Sequence, residues 1–433
     1  MTELGPRPRS LPIAPLAKPS RTRLPLAPQA RPGLDDVVRP IYAVWELTLR
    51  CDLACRHCGS RAGRARPDEL STAEALDMVR QLAELGVREI TIIGGEAYLR
   101  DDWDRIAAAL VSAGIDTSMT TGGRGITRER ARRAKDAGLS TVSVSIDGLE
   151  ATHDHLRAVR GSHRAAIEAL RHFHAVGMPI SVNTQICRPN VREIEPLLEV
   201  IHPLGIHSWQ VQITVAMGRA ADEPELLLQP YQMLEVMPMV MRLQERCDEV
   251  GVRLWPGTNI GYFGPYEGRL RRHMPRGHGE GCGAGRDTLG LEANGDIKGC
   301  PSLPSDAYVG GNVREHGLRA VWERAQALRF TRGRGTEDLW GFCASCYYAD
   351  VCKSGCTWTG HVLSGRRGNN PICHHRALEL LAAGKRERLV LAEAASGEPF
   401  DHGRYEIVLE DWPEHELARA RELARTGQGW LDG

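Results

Sequence analysis

Six short runs rich in Val, Ile and Thr recur along residues 41–214, and a helical segment separates each run from the next. The runs have the length of strands and read IYAVWELTL, VREITII, IDTSMT, LSTVSVS, MPISVNTQI and IHSWQVQIT. Between the first two, residues 72–85 place Leu76, Val79 and Leu82 or Ala83 on one helical face. Successive β/α units indicate a parallel sheet that curves into a full or partial barrel. We therefore predict an α/β fold with a partial (β/α)6 barrel.

Three cysteines stand directly after the first of these runs, in LTLRCDLACRHCGS, at Cys51, Cys55 and Cys58. Active sites of β/α barrels lie at the C-terminal ends of the strands, which is where this motif falls. Three thiolates are one fewer than a closed tetrahedral site needs, so a cubane iron-sulfur cluster would keep one iron open to a small bidentate ligand. A structural zinc site is the alternative, with His57 as a conceivable fourth ligand.

Charge and composition limit the setting in which this motif works. The chain carries 55 basic and 55 acidic side chains, so no overall field attracts nucleic acid or an anionic membrane. Apolar runs are too short for a membrane span or a secretory signal, and we expect a cytoplasmic protein. In that compartment the twelve cysteines are better explained as metal ligands or catalytic thiols than as disulfides.

The cysteine motif resembles the signature of radical S-adenosylmethionine (radical SAM) enzymes, in which the open iron of a [4Fe-4S] cluster binds the cofactor's amino and carboxylate groups. After the second strand, GGEAYLR is similar to the family's Gly-Gly-Glu element. The resemblance implies that Gly94 and Gly95 allow close backbone approach and that Glu96 accepts a hydrogen bond from the methionine ammonium. Without the cysteines, the two glycines would be read as an ordinary strand-to-helix turn.

Two further stretches extend the resemblance along residues 41–256. SVSIDGLEATHDHLRAVRGS is similar to the segment after the fourth strand in peptide-modifying members of the family, which implies contacts of Ser145 and Asp147 with the cofactor's ribose or carboxylate. A strand-end hydroxyl and a turn residue before Gly148 are the simpler interpretations. TTGG stands where relatives often show Thr-Asn-Gly, which implies a weaker ribose contact from Thr121.

Seven cysteines in the second half match the SPASM extension of radical SAM enzymes, which typically carries two auxiliary iron-sulfur clusters. The family pattern assigns one group to the second auxiliary cluster: Cys343, Cys346, Cys352 and Cys373. It leaves three for the first auxiliary cluster: Cys282, Cys300 and Cys356. The fourth position of the first cluster is open to a substrate cysteine, a water or a residue such as His278.

The remaining cysteines and the nearby histidines carry weaker signals. Cys187 and Cys247 are best interpreted as buried structural thiols, although Cys187 ends a strand. His273 and His278 are interpreted as solvated loop residues rather than cluster ligands.

These patterns divide the chain into five segments. They are a disordered Pro-rich arm at 1–36, with a transit peptide as the alternative, a radical SAM core at 37–256, a Gly-rich linker at 257–281, a SPASM domain at 282–376 and a tail at 377–433.

The resemblance implies an enzyme that cleaves S-adenosylmethionine reductively to a 5′-deoxyadenosyl radical, which takes hydrogen from a substrate. A ribosomally made peptide is the favoured substrate, and an external one-electron reductant of the flavodoxin or ferredoxin type is the expected partner. Alternatives are an enzyme that modifies a small molecule or cofactor, and a non-catalytic zinc or electron-transfer protein. Sulfatase maturation is disfavoured, because Pro301 follows Cys300 where such maturases are expected to carry an Asp base. No catalytic acid or base is assigned.

Overall fold

The computed structural model describes residues 38–431, so the arm predicted at 1–36 lies outside the described residues. Ten strands form one sheet in the order β10-β9-β8-β1-β2-β3-β4-β5-β6-β7, and two more form a separate hairpin. The strands are β1 (Tyr42–Glu46), β2 (Glu89–Ile93), β3 (Asp116–Thr121), β4 (Thr141–Ser145), β5 (Ile180–Ile186), β6 (Ser208–Ile213), β7 (Arg253–Pro256), β8 (Thr288–Leu291), β9 (Asp296–Lys298), β10 (Val309–Asn312), β11 (Lys385–Glu393) and β12 (Arg404–Asp411).

Strands β1 to β6 coincide with the six predicted runs and pair in parallel in chain order. The sheet does not close on itself, since β7 and β10 occupy its two ends. The predicted partial barrel is therefore confirmed. The sequence prediction omitted β7, a four-residue strand that ends at Pro256 and pairs in parallel with β6.

Helices cover the outer face of the sheet and the C-terminal half. They are α1 (Thr72–Leu85), α2 (Trp103–Ser112), α3 (Arg128–Asp136), α4 (Glu150–Arg157), α5 (Ser162–Ala175), α6 (Ile194–Ile201), α7 (Arg219–Asp222), α8 (Met233–Glu249), α9 (Glu267–Leu270), α10 (Ser305–Tyr308), α11 (Val313–His316), α12 (Leu318–Arg324), α13 (Gln326–Arg329), α14 (Ala349–Cys352), α15 (Thr357–Ser364), α16 (His374–Ala382) and α17 (Glu414–Thr426). None of these described helices has the length and apolar character needed to cross a membrane.

Helix α1 shows why the local sequence was informative. Ser71 and Glu74 form a capping box at its start, and Gly86 ends it in the left-handed conformation with φ 93°. Its bounds are those predicted. Its buried face includes Val79 and Leu82 as expected, whereas Leu76 is only half-buried.

The C-terminal half continues the barrel sheet. β8 pairs in parallel with β1, and β9 and β10 extend the sheet in antiparallel fashion. Ion pairs reinforce this joint, because Arg66 contacts both Glu46 and Glu292, while Lys298 also pairs with Glu292 at 2.6 Å. Both carboxylate partners, Glu46 and Glu292, are buried, and so is Lys298, so these ion pairs are shielded from solvent.

The tail folds as the hairpin β11-β12 followed by α17. α16 packs against both β11 and α8, which anchors the tail to the barrel. The loop between the two strands runs back toward the cysteine motif, where His402 forms a bridge with Met217 and the Asp401 carbonyl accepts from the Gly218 amide at 2.8 Å.

Candidate active site

The loop that follows β1 carries Cys51, Cys55 and Cys58 at the C-terminal edge of the sheet. Local backbone bonds shape it: the Leu53 amide donates to Cys51 Sγ at 3.4 Å, and the Cys58 amide donates to the Cys55 carbonyl at 3.2 Å. Burial raises the pKa of the Cys51 thiol to about 12 and that of Cys55 to about 11, with the neighbouring thiols adding to the shift. Such thiols ionise readily only when a metal takes the place of the proton, which fits an iron-sulfur cluster.

Gly94 and Gly95 leave β2 directly against the backbone of this cysteine loop. A Cβ on Gly94 would lie 2.5 Å from the Thr48 carbonyl oxygen, and one on Gly95 would lie 2.2 Å from that of Arg50. Their own backbone bonds confirm the packing, since the Gly95 amide donates to Thr48 at 2.8 Å. The absence of side chains therefore lets the second strand end brace the cysteine loop.

Glu96 lies buried beside the cysteines. Its Oε2 accepts from Thr121 Oγ1 at 2.5 Å, and its Oε1 accepts from the Gly122 amide at 2.6 Å. Burial raises the pKa of Glu96 to about 7, against the effect of these two hydrogen bonds. The structure thus brings Glu96 and Thr121, both expected at the site, into direct contact.

Asp52 adds a second carboxylate that sequence reasoning did not identify. Its carboxylate oxygen, a Glu96 oxygen and Cys51 Sγ all lie within 4.8 Å of one another. Asp52 Oδ2 accepts from Tyr98 Oη at 3.0 Å, whereas Oδ1 is buried with no hydrogen-bond partner in the described chain. The buried carboxylate of Glu96 and the half-buried carboxylate of Asp52, which has one unsatisfied oxygen, fit a cationic ligand such as an ammonium group next to the cluster.

Asp147 follows β4 and is fully buried. It pairs with His57 Nε2 at 3.0 Å and with Arg157 Nη2 at 2.6 Å, and its Oδ1 accepts from the Gln185 amide at 2.9 Å. Burial acts to raise the pKa of Asp147, but the charges of Arg157 and His57 outweigh it and hold the pKa well below its usual range. Both carboxylate oxygens are therefore engaged by the protein itself. Ser145 lies at the end of β4 with its side chain half-buried.

Arg157 connects this anchor to the cysteine loop. Its Nη1 donates to Cys55 Sγ at 3.6 Å while Nη2 holds Asp147. The side chain is buried, and it supplies a fixed positive charge beside thiols that become negative on metal binding. Arg157 stands within the stretch whose resemblance was noted, so a sequence signal for it existed.

Two more arginines, Arg219 and Arg61, tie the cysteine loop to parts of the chain that are distant in sequence. Arg219 Nε donates to the Cys55 carbonyl at 2.7 Å, and its guanidinium also reaches the Ala62 carbonyl at 3.1 Å. Arg61, with φ 50°, pairs with Asp222 and with Asp401 of the tail. No local sequence signal marks these contacts, because their partners are far away in the chain.

The predicted second auxiliary site is a cavity in the C-terminal half. Its lining includes all four expected thiols: Cys343, Cys346, Cys352 and Cys373. Burial, followed by the charges of the other three cysteines, raises the pKa of Cys352 well above its usual range. Convergence of four thiols in one cavity fits a four-cysteine iron-sulfur cluster.

The predicted first auxiliary site gathers Cys282, Cys300 and Cys356. Burial raises the pKa of Cys300 to about 12, and the other two thiols add to the shift. Cys282 and Cys300 also pack against a small apolar cluster that includes Tyr308. The structure thus brings these three thiols together, which fits a cluster with three protein thiolates.

The other cysteines and histidines lie elsewhere. Cys187 and Cys247 are buried in apolar clusters, as expected for structural thiols. His273 packs against the Trp255 ring at 4.2 Å between centroids. The ring centroid of His278 lies 5.6 Å from that of Phe263, and the Phe263 ring stacks on Tyr348, close to Cys346. His278 is thus on the side of the second auxiliary site.

Comparisons with known proteins agree with this geometry. The Radical SAM superfamily model matches residues 45–201, and the model of the SPASM iron-sulfur cluster-binding domain matches residues 282–347. An AdoMet-dependent heme synthase of Methanosarcina barkeri is 28% identical over 354 residues, covering 78% of this chain and 97% of that protein. PqqA peptide cyclase of Methylocella silvestris is 29% identical over 373 residues, covering 83% and 95%.

Among solved structures, Streptococcus suis SuiB bound to S-adenosylmethionine matches with a TM-score of 0.62 and 19% identity, over 78% of this chain and 77% of that one. The two family models together match more than half of the chain. They decide against a non-catalytic zinc or electron-transfer protein. The chain belongs to the radical SAM superfamily and is a radical SAM enzyme with a SPASM iron-sulfur cluster-binding domain.

Proposed function

We propose that this radical SAM enzyme modifies a ribosomally synthesised peptide. Cys51, Cys55 and Cys58 would hold a [4Fe-4S] cluster, with Glu96 and Asp52 facing the ammonium group of S-adenosylmethionine. When bound, the cluster would supply the electron that cleaves S-adenosylmethionine to methionine and a 5′-deoxyadenosyl radical. That radical would abstract hydrogen from the substrate.

The protein's own side chains at this site would position the cofactor and balance the negative charge of the thiolates. Arg157 beside Cys55 offsets negative charge from the thiolates, and Asp147 fixes Arg157 and His57. Thr121 and the Gly122 amide orient Glu96. Contacts of Ser145, Thr121 and Asp147 with the cofactor stay predictions.

One observation supports a peptide as the substrate. In the first auxiliary site only three thiols meet, and every other described cysteine lies at another site or in the apolar core. A cluster held by Cys282, Cys300 and Cys356 therefore has a coordination position that a cysteine sulfur of a peptide can take. Similarity to a peptide cyclase over most of both chains supports the same substrate class.

A second candidate is modification of a cofactor or other small molecule. The similarity to an AdoMet-dependent heme synthase, which spans nearly all of that protein, favours it. In either case we propose two auxiliary clusters and an external one-electron reductant of the flavodoxin or ferredoxin type.

Mass spectrometry distinguishes the two candidates. The anaerobically reconstituted enzyme is incubated with S-adenosylmethionine, a reductant and short peptides encoded beside its gene, and the products are searched for a loss of two hydrogens. A loss that requires a substrate cysteine supports thioether formation, and one that persists after Cys→Ala in the peptide indicates another crosslink. Modification of a small metabolite while every neighbouring peptide stays unchanged would reject the peptide in favour of the second candidate.

A further inference from the structure

Four arginines line one open pocket in the C-terminal half. They are Arg329, Arg334, Arg366 and Arg367, and three of them, Arg329, Arg366 and Arg367, are exposed. Asp338 is the only carboxylate among its described lining residues. No described carboxylate forms an ion pair with any of the four arginines, so the surface carries a local positive charge in a chain whose net charge is zero.

Arg334 lies at the buried side of this pocket, with only 6% of the residue exposed. Its guanidinium donates to Ser354 Oγ at 2.8 Å and to Thr357 Oγ1 at 3.2 Å, two hydroxyls that flank Cys356 in the chain. Burial raises the pKa of Cys343, and the charge of Arg334 acts to lower it. Burial lowers the pKa of Arg334, and the charge of Cys282 acts to raise it. Arg334 is therefore within electrostatic reach of both auxiliary sites.

Arg366 and Arg367 are exposed, but aromatic rings hold their guanidinium groups in place. The Arg366 guanidinium lies 3.8 Å from the centre of the Trp340 ring, and that of Arg367 lies 4.7 Å from the centre of the Phe330 ring. Aromatic stacking holds both charges in place before a partner arrives, which lowers the ordering cost of binding. Such a fixed, unpaired cluster of charges favours an anionic partner.

We propose that Arg329, Arg334, Arg366 and Arg367 form the docking surface for an acidic one-electron carrier protein, and we call them the arginine surface. The reduced carrier gives one electron to an auxiliary cluster and leaves in its oxidised form, and no covalent bond changes. The inference rests on the auxiliary clusters of the proposed function and is independent of the substrate.

An electron carrier fits this surface better than the substrate does. All lining residues of the pocket lie between residues 329 and 367, and none belongs to the strand ends of the barrel where hydrogen abstraction takes place. A substrate has to reach those strand ends as well as the first auxiliary site, whereas a carrier needs only to approach an auxiliary site from the surface of the C-terminal half.

The test uses the anaerobic holoenzyme and a purified acidic flavodoxin as the probe. Binding is measured by isothermal titration calorimetry at low and high salt, and reduction of the auxiliary clusters by reduced flavodoxin and by dithionite is followed by stopped-flow absorbance. The variant is Arg329→Glu/Arg366→Glu, which alters two exposed side chains. The matched control is Arg105→Glu/Arg132→Glu, two exposed arginines on α2 and α3 of the barrel.

We expect the variant to bind flavodoxin about tenfold more weakly than the wild type at low salt, and the difference to shrink as salt screens the charges. Its cluster reduction by flavodoxin should slow by a similar factor, while reduction by dithionite and the control pair stay unchanged. Absence of flavodoxin binding to the wild type, unaltered binding by the variant, or equal loss in the control would overturn the proposal. Weakened peptide binding with normal flavodoxin binding would assign the surface to the substrate instead. Wild-type protein without auxiliary-cluster electron paramagnetic resonance (EPR) signals would contradict the proposed function itself.

Discussion

Arg61 of the cysteine loop and Asp401 of the C-terminal tail form a double hydrogen bond, Nε to Oδ1 at 2.7 Å and Nη2 to Oδ2 at 3.2 Å, across 340 positions of sequence. The Asp401 side chain is 8% exposed, and Ser396 and the Gly397 amide also donate to it. A tail without a recognisable motif thus holds the loop that carries the three N-terminal cysteines.

Asp401→Asn should therefore loosen the cysteine loop. The change removes a buried charge-assisted contact and leaves Arg61 with the more exposed Asp222. We expect the dissociation constant for S-adenosylmethionine to rise about tenfold, as loss of such a bond implies, and the reconstituted protein to retain less iron. Equilibrium binding and iron analysis measure both. Asp411→Asn is the control, since it removes an exposed carboxylate at the base of the same hairpin; equal effects of the two would show that the contact is unimportant.

Replacing different cysteine groups should separate cofactor cleavage from product formation. Changing Cys51, Cys55 and Cys58 to Ala removes the proposed reducing centre, so formation of 5′-deoxyadenosine should stop. Changing Cys343 and Cys346 to Ala should leave uncoupled cleavage while the modified substrate is no longer made. Chromatography of 5′-deoxyadenosine and mass spectrometry of the substrate give the two rates. Parallel loss of both activities in folded Cys343/Cys346 variants would deny the second auxiliary site a separate role.

Acid should destabilise the protein partly through His153. Its Nδ1 accepts from the Asp147 amide at 3.1 Å, and burial, followed by the charge of Arg157, lowers its pKa to about 3. The unfolded chain binds a proton near pH 6.5 whereas the folded chain does so only near 3. Stability is therefore lost as the pH falls below about 6.5, by at most about 1.4 kcal/mol per pH unit.

The check on this prediction is His153→Gln, because glutamine can accept the same hydrogen bond without titrating. Urea unfolding at about pH 7 and about pH 5 should show a smaller loss of stability in this variant than in the wild type. His316→Gln, at an exposed histidine, should behave as the wild type does. A His153→Gln slope equal to the wild-type slope would contradict the assignment.

Arg334→Gln should lower the reduction potentials of the auxiliary clusters. A buried positive charge stabilises the reduced, more negative state of a nearby cluster, so its removal should shift the potentials by tens of millivolts to more negative values. An EPR redox titration measures the shift. Arg366→Gln, which removes an exposed charge from the same pocket, should produce a much smaller change because solvent screens it. Unshifted potentials in Arg334→Gln would contradict the electrostatic role.

The barrel was predictable because its signals are local. Each predicted strand is a short run rich in Val, Ile and Thr, and the bounds of α1 follow from a capping box and a terminal glycine that adjoin the helix. The meeting of Glu96 with the cysteine loop was expected from the resemblance of GGEAYLR to the family's Gly-Gly-Glu element. It agrees with the rule that neighbouring parallel strands end at the same edge of a sheet.

The charged contacts of the site were not predictable in the same way. Arg61, Arg219 and Asp401 look like ordinary surface residues in the sequence, and their roles arise only from partners that are distant in the chain. The pairing of β8 with β1 was missed for a related reason: a parallel pair between strands so far apart leaves no periodic signal that spans the intervening chain.

The pairing of β8 with β1 makes the two halves of this enzyme structurally inseparable. β1 leads into the cysteine loop, and β8 and β9 lie between Cys282 and Cys300. The backbone ladder that joins β1 to β8 therefore sets the distance between the cysteine loop and the site that gathers Cys282 and Cys300. A fragment that stops before residue 282 would expose the hydrogen-bonding edge of β1 and invite aggregation. Exchange of C-terminal halves between relatives would succeed only if the incoming strand reproduces this register. A shift by one residue would turn its buried side chains outward and displace the first auxiliary site relative to the cysteine loop.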